Sequence, residues 1–266
     1  MLAPDMSTPP PPGDGPRPVD VLTVATVEQV TPSVRRVTLT GDPAAVGALQ
    51  PTINVLVPRV DDASPRWPAV ARDGRIVWPQ GSHGVSLRSY TARRQDPVSG
   101  EVDIDFVLHG DGPAAVWASA ARPGALLAIA GSGPLGFTPA PVLLLAADET
   151  ALPAVSRILA EARPDTRGTA LLEVAGADEE QDLAVPPGVE LRWLHRGGTP
   201  PGASTLLVDA VAALDRPDGA VFAWVAAESA AVRAVRADLR GRWGLTRAEH
   251  HAIGYWRRGR AMSPSS

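Results

Sequence analysis

At 266 residues, 44% hydrophobic and 20% charged, the chain has the composition of a soluble globular protein and the length for one large domain or two ordinary ones. It holds no cysteine, which excludes disulfides, thiolate metal sites, a cysteine nucleophile and an iron–sulfur cluster held by this polypeptide. All 25 basic residues are arginine, so Schiff-base and P-loop lysines are excluded as well, and a net charge of −4 gives no reason to expect nucleic acid as a partner.

Residues 1–18 are rich in proline and lack an apolar core behind a basic start; they read as a disordered tail, not a secretory signal. No apolar run is long enough to span a bilayer, so neither a membrane partner nor an address other than the cytoplasm is expected. Short β-rich runs follow at 19–30, 34–40, 53–60, 88–94, 101–109 and 126–130, separated by Gly, Pro and Asp turns. Residues 101–106, Glu-Val-Asp-Ile-Asp-Phe, alternate strictly, as a half-buried strand should. These strands and one helix at 113–121 predict a small closed antiparallel barrel, with 61–84 as an excursion between strands.

After Pro141 the rhythm changes. A continuous apolar strand at 142–147 precedes a helix at 150–162, strands at 169–175 and 189–194, a helix at 206–214, a strand at 221–226 and a helix at 228–240. Such alternation predicts a doubly wound parallel α/β sheet. The expected organisation is a tail (1–18), a barrel domain (19–139), an α/β domain (140–260) and a second tail (261–266).

The most telling stretch is Arg88-Ser89-Tyr90-Thr91. On a strand, Arg88 and Tyr90 share a face, which sets a forked cation beside a phenolic ring, with the Thr91 hydroxyl next to them. That grouping suits a flat, phosphorylated cofactor: guanidinium for phosphate, ring for stacking, hydroxyl for a ring nitrogen. Downstream, Asp105-Phe106-Val107-Leu108-His109-Gly110 ends a strand. Gly112-Pro113-Ala114-Ala115-Val116-Trp117 then opens a helix whose first amides can take up a pyrophosphate. Together these stretches point to a flavin nucleotide, with His109 a candidate for its phosphates.

Gly131-Ser132-Gly133-Pro134-Leu135-Gly136 has the glycine spacing of a dinucleotide loop, but prolines and a strand follow where a helix should, so it reads as an interdomain turn. The better nucleotide site is Asp148-Glu149-Thr150-Ala151, at the carboxyl end of the first parallel strand, where open α/β sheets bind ligands. Thr150 can cap the following helix, with Asp148 and Glu149 at its positive end. Ala227-Glu228 occupies the same place after a later strand, either as a second wall of that crevice or as a helix cap. Arg233, Arg236 and Arg240 read as a solvated helix face, His250 and His251 as surface residues, and Trp117 as core.

Taken in order, Arg88-Ser-Tyr-Thr-Ala-Arg93, Asp103-Ile-Asp-Phe-Val-Leu-His-Gly110, Gly112-Pro-Ala-Ala-Val-Trp-Ala118, Asp148-Glu-Thr-Ala-Leu-Pro-Ala154 and Gly254-Tyr-Trp-Arg-Arg-Gly259 resemble the siderophore-interacting proteins. These are flavin-dependent ferric-siderophore reductases related to the ferredoxin reductases. The resemblance implies an N-terminal FAD-binding barrel followed by a C-terminal domain for NADPH or NADH. It implies phosphate binding by Arg88 and the 113–115 helix start, flavin stacking on Tyr90, and Thr91 near the reactive edge. Asp148, Glu149, Thr150, Ala227 and Glu228 would line the crevice where the nicotinamide meets the flavin. The implied substrate is a ferric siderophore, reduced to release Fe(II), with ferredoxin as a possible donor; no side chain need act as general acid or base.

Two positions depart from the family pattern. Ala227 stands where members carry glycine, and its methyl crowds a nucleotide approaching the backbone. Asn54 stands where members carry a lysine suited to an anionic ferric complex. Other readings of the sequence are a flavin reductase or ferredoxin-linked carrier with another acceptor, and a non-catalytic module that binds flavin or ferric chelate.

Overall fold

The computed structural model describes residues 15–81, 84–108 and 112–259. Their first half forms β1 (Arg17–Pro18), β2 (Asp20–Thr31), β3 (Val34–Thr40), α1 (Pro43–Gly47), β4 (Thr52–Val57), β5 (Ala69–Val70), β6 (Ile76–Val77), β7 (Ser86–Thr91), β8 (Arg94–Asp96), β9 (Glu101–Val107), α2 (Pro113–Ala120) and β10 (Leu126–Gly133). Seven of these strands make an antiparallel sheet in the order β7-β4-β10-β2-β3-β9-β8. Alternation rolls the sheet around one apolar interior, in which Ile53, Val55, Val37, Leu39, Ile104 and Leu127 are buried. Ala114, Trp117 and Ala118 of α2 join that interior, as expected for Trp117.

The sheet closes on itself through one bent strand: β7 pairs with β4, the chain runs on through Ala92 and Arg93 into β8, and β8 pairs with β9, with Arg93 N–H donating to the Asp103 carbonyl at 2.9 Å. At this closure Tyr90 of β7 meets Phe106 of β9 ring to ring at 4.6 Å. The 61–84 excursion supplies β5 and β6, which form a small sheet with β1. Its Val70 buries the outer-face residues Leu56, Ala128 and Ala130, so Arg17 and Pro18 belong to the fold and not to a tail.

The second half comprises β11 (Val142–Asp148), α3 (Leu152–Glu161), β12 (Arg167–Val174), β13 (Gly188–His195), α4 (Leu206–Ala212), β14 (Val221–Glu228), α5 (Ser229–Gly241) and β15 (His250–Trp256). All five strands are parallel, in the order β13-β12-β11-β14-β15. Successive residues of β11 feed opposite faces: Leu143 and Leu145 pack with α3, Leu144 and Ala146 with α4 and α5. The sheet is doubly wound, as its sequence rhythm predicts. β12 lies so close to β11 that a Cβ on Gly168, at φ +138°, would stand 1.9 Å from the Leu143 carbonyl oxygen.

Two details differ from the sequence reading. Gly131 to Gly133 are the end of β10, paired with β4 across a bulge, and the turn between the domains comes after them. His250 and His251 lie in the edge strand β15, half-buried, and the His251 ring stacks on Trp224 at 6.4 Å. The two halves are bolted together by polar contacts. Arg157 of α3 donates to the Ala92 carbonyl at 2.7 Å, Ser33 donates to Glu179 at 2.7 Å, and the Thr31 hydroxyl donates to the same carboxylate.

Candidate functional site

The β4–β7 ladder sets Arg88 opposite Val55 and Tyr90 opposite Ile53, so the cation and the ring share a face as the spacing requires. Both are half-buried. Tyr90 leans on Phe106, which in turn meets Trp117 at 5.5 Å, a run of tilted aromatic contacts that fixes the phenol ring where the sheet closes. Burial pushes the Tyr90 phenol well above its usual range, against the pull of the Arg88 cation, so it stays neutral and a hydrogen-bond donor. Ser89 points to the other face and donates to Asn54 at 3.0 Å.

The start of α2 is open. Gly112 is an extended N-cap with no side-chain cap, Pro113 has no N–H, and the first intrahelical bond runs from Val116 to Gly112. The Ala114 and Ala115 amides therefore have no partner within the helix, and nothing lies within 4 Å of a Cβ built at Gly112. Val107, half-buried, ends β9 on the approach to this turn. His109, the other phosphate candidate, lies outside the described residues. Guanidinium, neutral phenol and uncapped helix amides fit the phosphates and ring system of a flavin nucleotide. Beside them a cavity of about 1130 Å³ opens between the outer face of β4 and β7 and the β5–β6 flap, lined by Asn54, Arg75, Trp78, Leu87, Arg88 and Ser132, among others.

The second cluster stands at the carboxyl ends of β11, β12 and β14. Asp148 is buried and accepts four hydrogen bonds: Thr150 N–H at 3.0 Å, the Thr150 hydroxyl at 2.5 Å, Glu228 N–H at 2.9 Å and Trp256 Nε1–H at 2.7 Å. Burial, reinforced by the neighbouring Glu149 carboxylate, pushes its pKa up to about 7 against the donors from Thr150 and Trp256. Asp148, not Thr150, is the cap here: it closes a short 3-10 turn at Glu149–Ala151, and Ala151 precedes α3. The Thr150 hydroxyl is drawn to the carboxylate and leaves the α3 amides alone. Glu149 holds Arg196 through two bonds at 2.8 and 2.5 Å, with both side chains under a tenth exposed. Glu228 caps α5, accepting from Ala230 N–H and from Ala231 N–H at 3.4 Å, so the cap reading of that carboxylate holds. Ala227, before it, is buried in the strand.

Glu173 completes this cluster from the end of β12, accepting the Leu207 N–H at 3.3 Å. The cavity that these residues line is about 20 Å³, so the crevice is filled by its own carboxylates. Tyr255 joins the two clusters. Its ring sits edge-on to Trp224 at 6.2 Å, and burial, aided by nearby Asp148 and opposed by Thr91, pushes its pKa up to about 12. Sequence reading singled out neither Glu173 nor Arg196, and it met Tyr255 and Trp256 only within a motif. The usable signal for Glu173 and Arg196 was position, since each stands at or just past the end of a parallel strand.

Residues 23–135 match the siderophore-interacting FAD-binding domain and residues 140–259 match the siderophore-interacting protein family. The ferric vibriobactin reductase ViuB of Vibrio cholerae is 37% identical over 196 residues, covering 71% of this chain and 70% of its own. A siderophore utilization protein from T. fusca superposes with a TM-score of 0.81 at 35% identity, covering 93% of this chain and 96% of its own. SipS, the siderophore-interacting protein of Aeromonas hydrophila, gives a TM-score of 0.79 at 31% identity, with 92% and 94% covered. The chain belongs to the siderophore-interacting protein family, with an FAD-binding domain as its first half.

Proposed function

We propose that the protein reduces Fe(III) held in a ferric siderophore, with FAD as resident cofactor and NAD(P)H as the source of electrons. When bound, FAD accepts two electrons as a hydride and passes them on singly, so one NAD(P)H matches two Fe(III). Fe(II) binds hard oxygen ligands less tightly, and the iron leaves its chelate.

The chain's own work is binding and alignment. Arg88 and the Ala114 and Ala115 amides hold phosphate oxygens, and Tyr90 presents a ring fixed by Phe106 and Trp117. The cavity beside Arg88 has the size of a small-molecule site and brings Arg17 and Arg75 to the ferric complex, with Asp20 and Asp73 opposing them. Asp148, Glu149, Thr150, Ala151, Ala227 and Glu228 shape the carboxyl edge of the parallel sheet, over which the nicotinamide nucleotide lies. The observation that carries this reading is the position of Tyr255, whose ring packs edge-on against Trp224 and whose phenol feels both Thr91 of the first half and Asp148 of the second. The similarity to a protein named for ferric vibriobactin reduction supports the substrate.

Anaerobic mixing of the FAD-loaded protein with NADH or NADPH, a ferric siderophore and a colorimetric Fe(II) trap tests it. Two Fe(II) per nucleotide oxidised is the expected stoichiometry. Flavin that stays oxidised with both nucleotides, or that is reduced without Fe(II) appearing, would overturn the proposal.

A further inference from the structure

The large cavity beside Arg88 is set apart from the elements assigned to the flavin ring. Among its described lining residues are neither Tyr90 nor any residue of α2. The β4–β7 ladder explains this, because side chains alternate along each strand. Tyr90 stands opposite Ile53, which is buried in the barrel interior, whereas Asn54 and Leu87 fall on the other face and line the cavity. Arg88 alone belongs to both, and its guanidinium donates back to the Leu87 carbonyl at 2.7 Å.

Half of the described lining residues are apolar, with Leu49, Val70, Ile76, Trp78 and Leu87 among them. The charges balance: apart from Arg88, which the flavin phosphates claim, Arg17 and Arg75 are matched by Asp20 and Asp73. Arg75 and Asp73 stand 3.6 Å apart on the flap, and the Asp73 carboxylate also accepts the Arg75 N–H at 3.0 Å. Asn54, on β4, brings no charge and accepts from the Ser89 hydroxyl at 3.0 Å. A highly charged anion entering such a space sheds part of its hydration and meets no net positive charge among the described residues in return. A neutral complex gives up less and gains contact with the apolar walls.

Resting on the reading that a ferric siderophore is reduced here, we propose that this cavity takes ferric complexes of little net charge, of the tris-hydroxamate class, in preference to trianionic tris-catecholates. Three hydroxamates, each singly negative, neutralise Fe(III), whereas three catecholates, each doubly negative, leave a trianion. Asn54 and Asp73 are the specificity-determining residues. The first withholds a cation from the β4 wall, and the second cancels the one that Arg75 supplies from the flap.

The test is calorimetric binding of gallium(III) complexes to the FAD-loaded protein at low ionic strength, beside Fe(II) release from the matching ferric complexes. Gallium complexes copy the charge of the ferric ones and take no electron, so binding is read apart from the unequal reducibility of the two ligand classes. We expect a gallium trihydroxamate to bind at least about tenfold more tightly than a gallium tricatecholate. A unit charge about 8 Å from a trianion in water-like surroundings changes its affinity by roughly tenfold. Asn54→Lys should therefore tighten the tricatecholate by about that factor and move the trihydroxamate by less than about twofold. Asp73→Asn, which keeps an acceptor for the Arg75 N–H, should act in the same direction from the flap. A tricatecholate bound as tightly as the trihydroxamate, no binding of the trihydroxamate, or an affinity ratio unmoved in both variants overturns the inference. If Fe(II) is still released from ferric complexes in those cases, the reductase reading stands. Absence of Fe(II) release from complexes of both classes overturns that reading, and this inference with it.

Discussion

Replacing Arg196 with methionine tests the architecture of the crevice. The substitution keeps most of the side chain's volume and strips Glu149 of both its bonds, at 2.8 and 2.5 Å, in a place where the carboxylate is 8% exposed. Removing one partner of a buried ion pair leaves an uncompensated charge and costs about 3–5 kcal/mol. With an unfolding entropy of about 2.1 cal/mol/K per residue, a chain of 266 residues unfolding as one unit loses about 2 °C of Tm per kcal/mol, hence about 5–9 °C. If the α/β half melts by itself, the fall is about twice as large, because half as many residues share the entropy. Differential scanning calorimetry distinguishes these cases, since one cooperative peak or two will be seen. The double variant R196M/E149L removes both charges and should recover most of the loss, as apolar replacement of buried ion pairs does. An R196M variant within about 1 kcal/mol of the parent, or a double variant no better than the sum of the two single losses, would refute the claim that this pair is buried and mutually dependent.

Three further outcomes follow from the geometry. Tyr90→Leu should weaken FAD binding by about 1–3 kcal/mol, the usual value of an aromatic stack, while Tyr90→Phe stays close to the parent; flavin retention on desalting reads both, and equal retention in all three proteins contradicts the stacking role. Asp148 has a folded pKa of about 7, above its unfolded value of roughly 3.9, so the folded state holds the extra proton between them. Its contribution to stability is complete below about pH 4, declines as pH rises, and is gone above about pH 7, a difference on the order of 4 kcal/mol. Urea unfolding at several pH values should show that slope, and Asp148→Asn should flatten it. Glu179→Ala withdraws the acceptor shared by Thr31 and Ser33 and should cost about 1–3 kcal/mol without loss of bound flavin, read by thermal melts and absorbance.

Much of this was legible in the chain. The strict alternation of residues 101–106 gave β9, and the apolar run at 142–147 gave the central strand of the parallel sheet, because burial on one or both faces leaves a period that composition cannot hide. Arg88 and Tyr90 share a face, as their spacing of two demands. What stayed hidden depends on contacts distant in sequence. The closure at Ala92 and Arg93, where one strand passes from β4 to β9, depends on Pro51 and Asp103, and β15 escaped notice because the half-buried edge strand His250–Trp256 mixes polar and apolar residues without a clear period. Thr150 has the composition of a helix cap, yet Asp148 takes that role, since its carboxylate also reaches Glu228 and Trp256, 80 and 108 residues away. The pairing of Glu149 with Arg196 spans 47 residues and likewise leaves no trace in local sequence.

The most direct test of the central claim is anaerobic stopped-flow absorbance of the FAD-loaded protein, reduced by NADH or NADPH and then mixed with a ferric siderophore in the presence of an Fe(II) trap. The account predicts bleaching of the flavin bands by at least one of the two nucleotides, followed by their return in step with Fe(II) appearing at two per flavin. Flavin that bleaches and remains bleached when the ferric siderophore is added would contradict it.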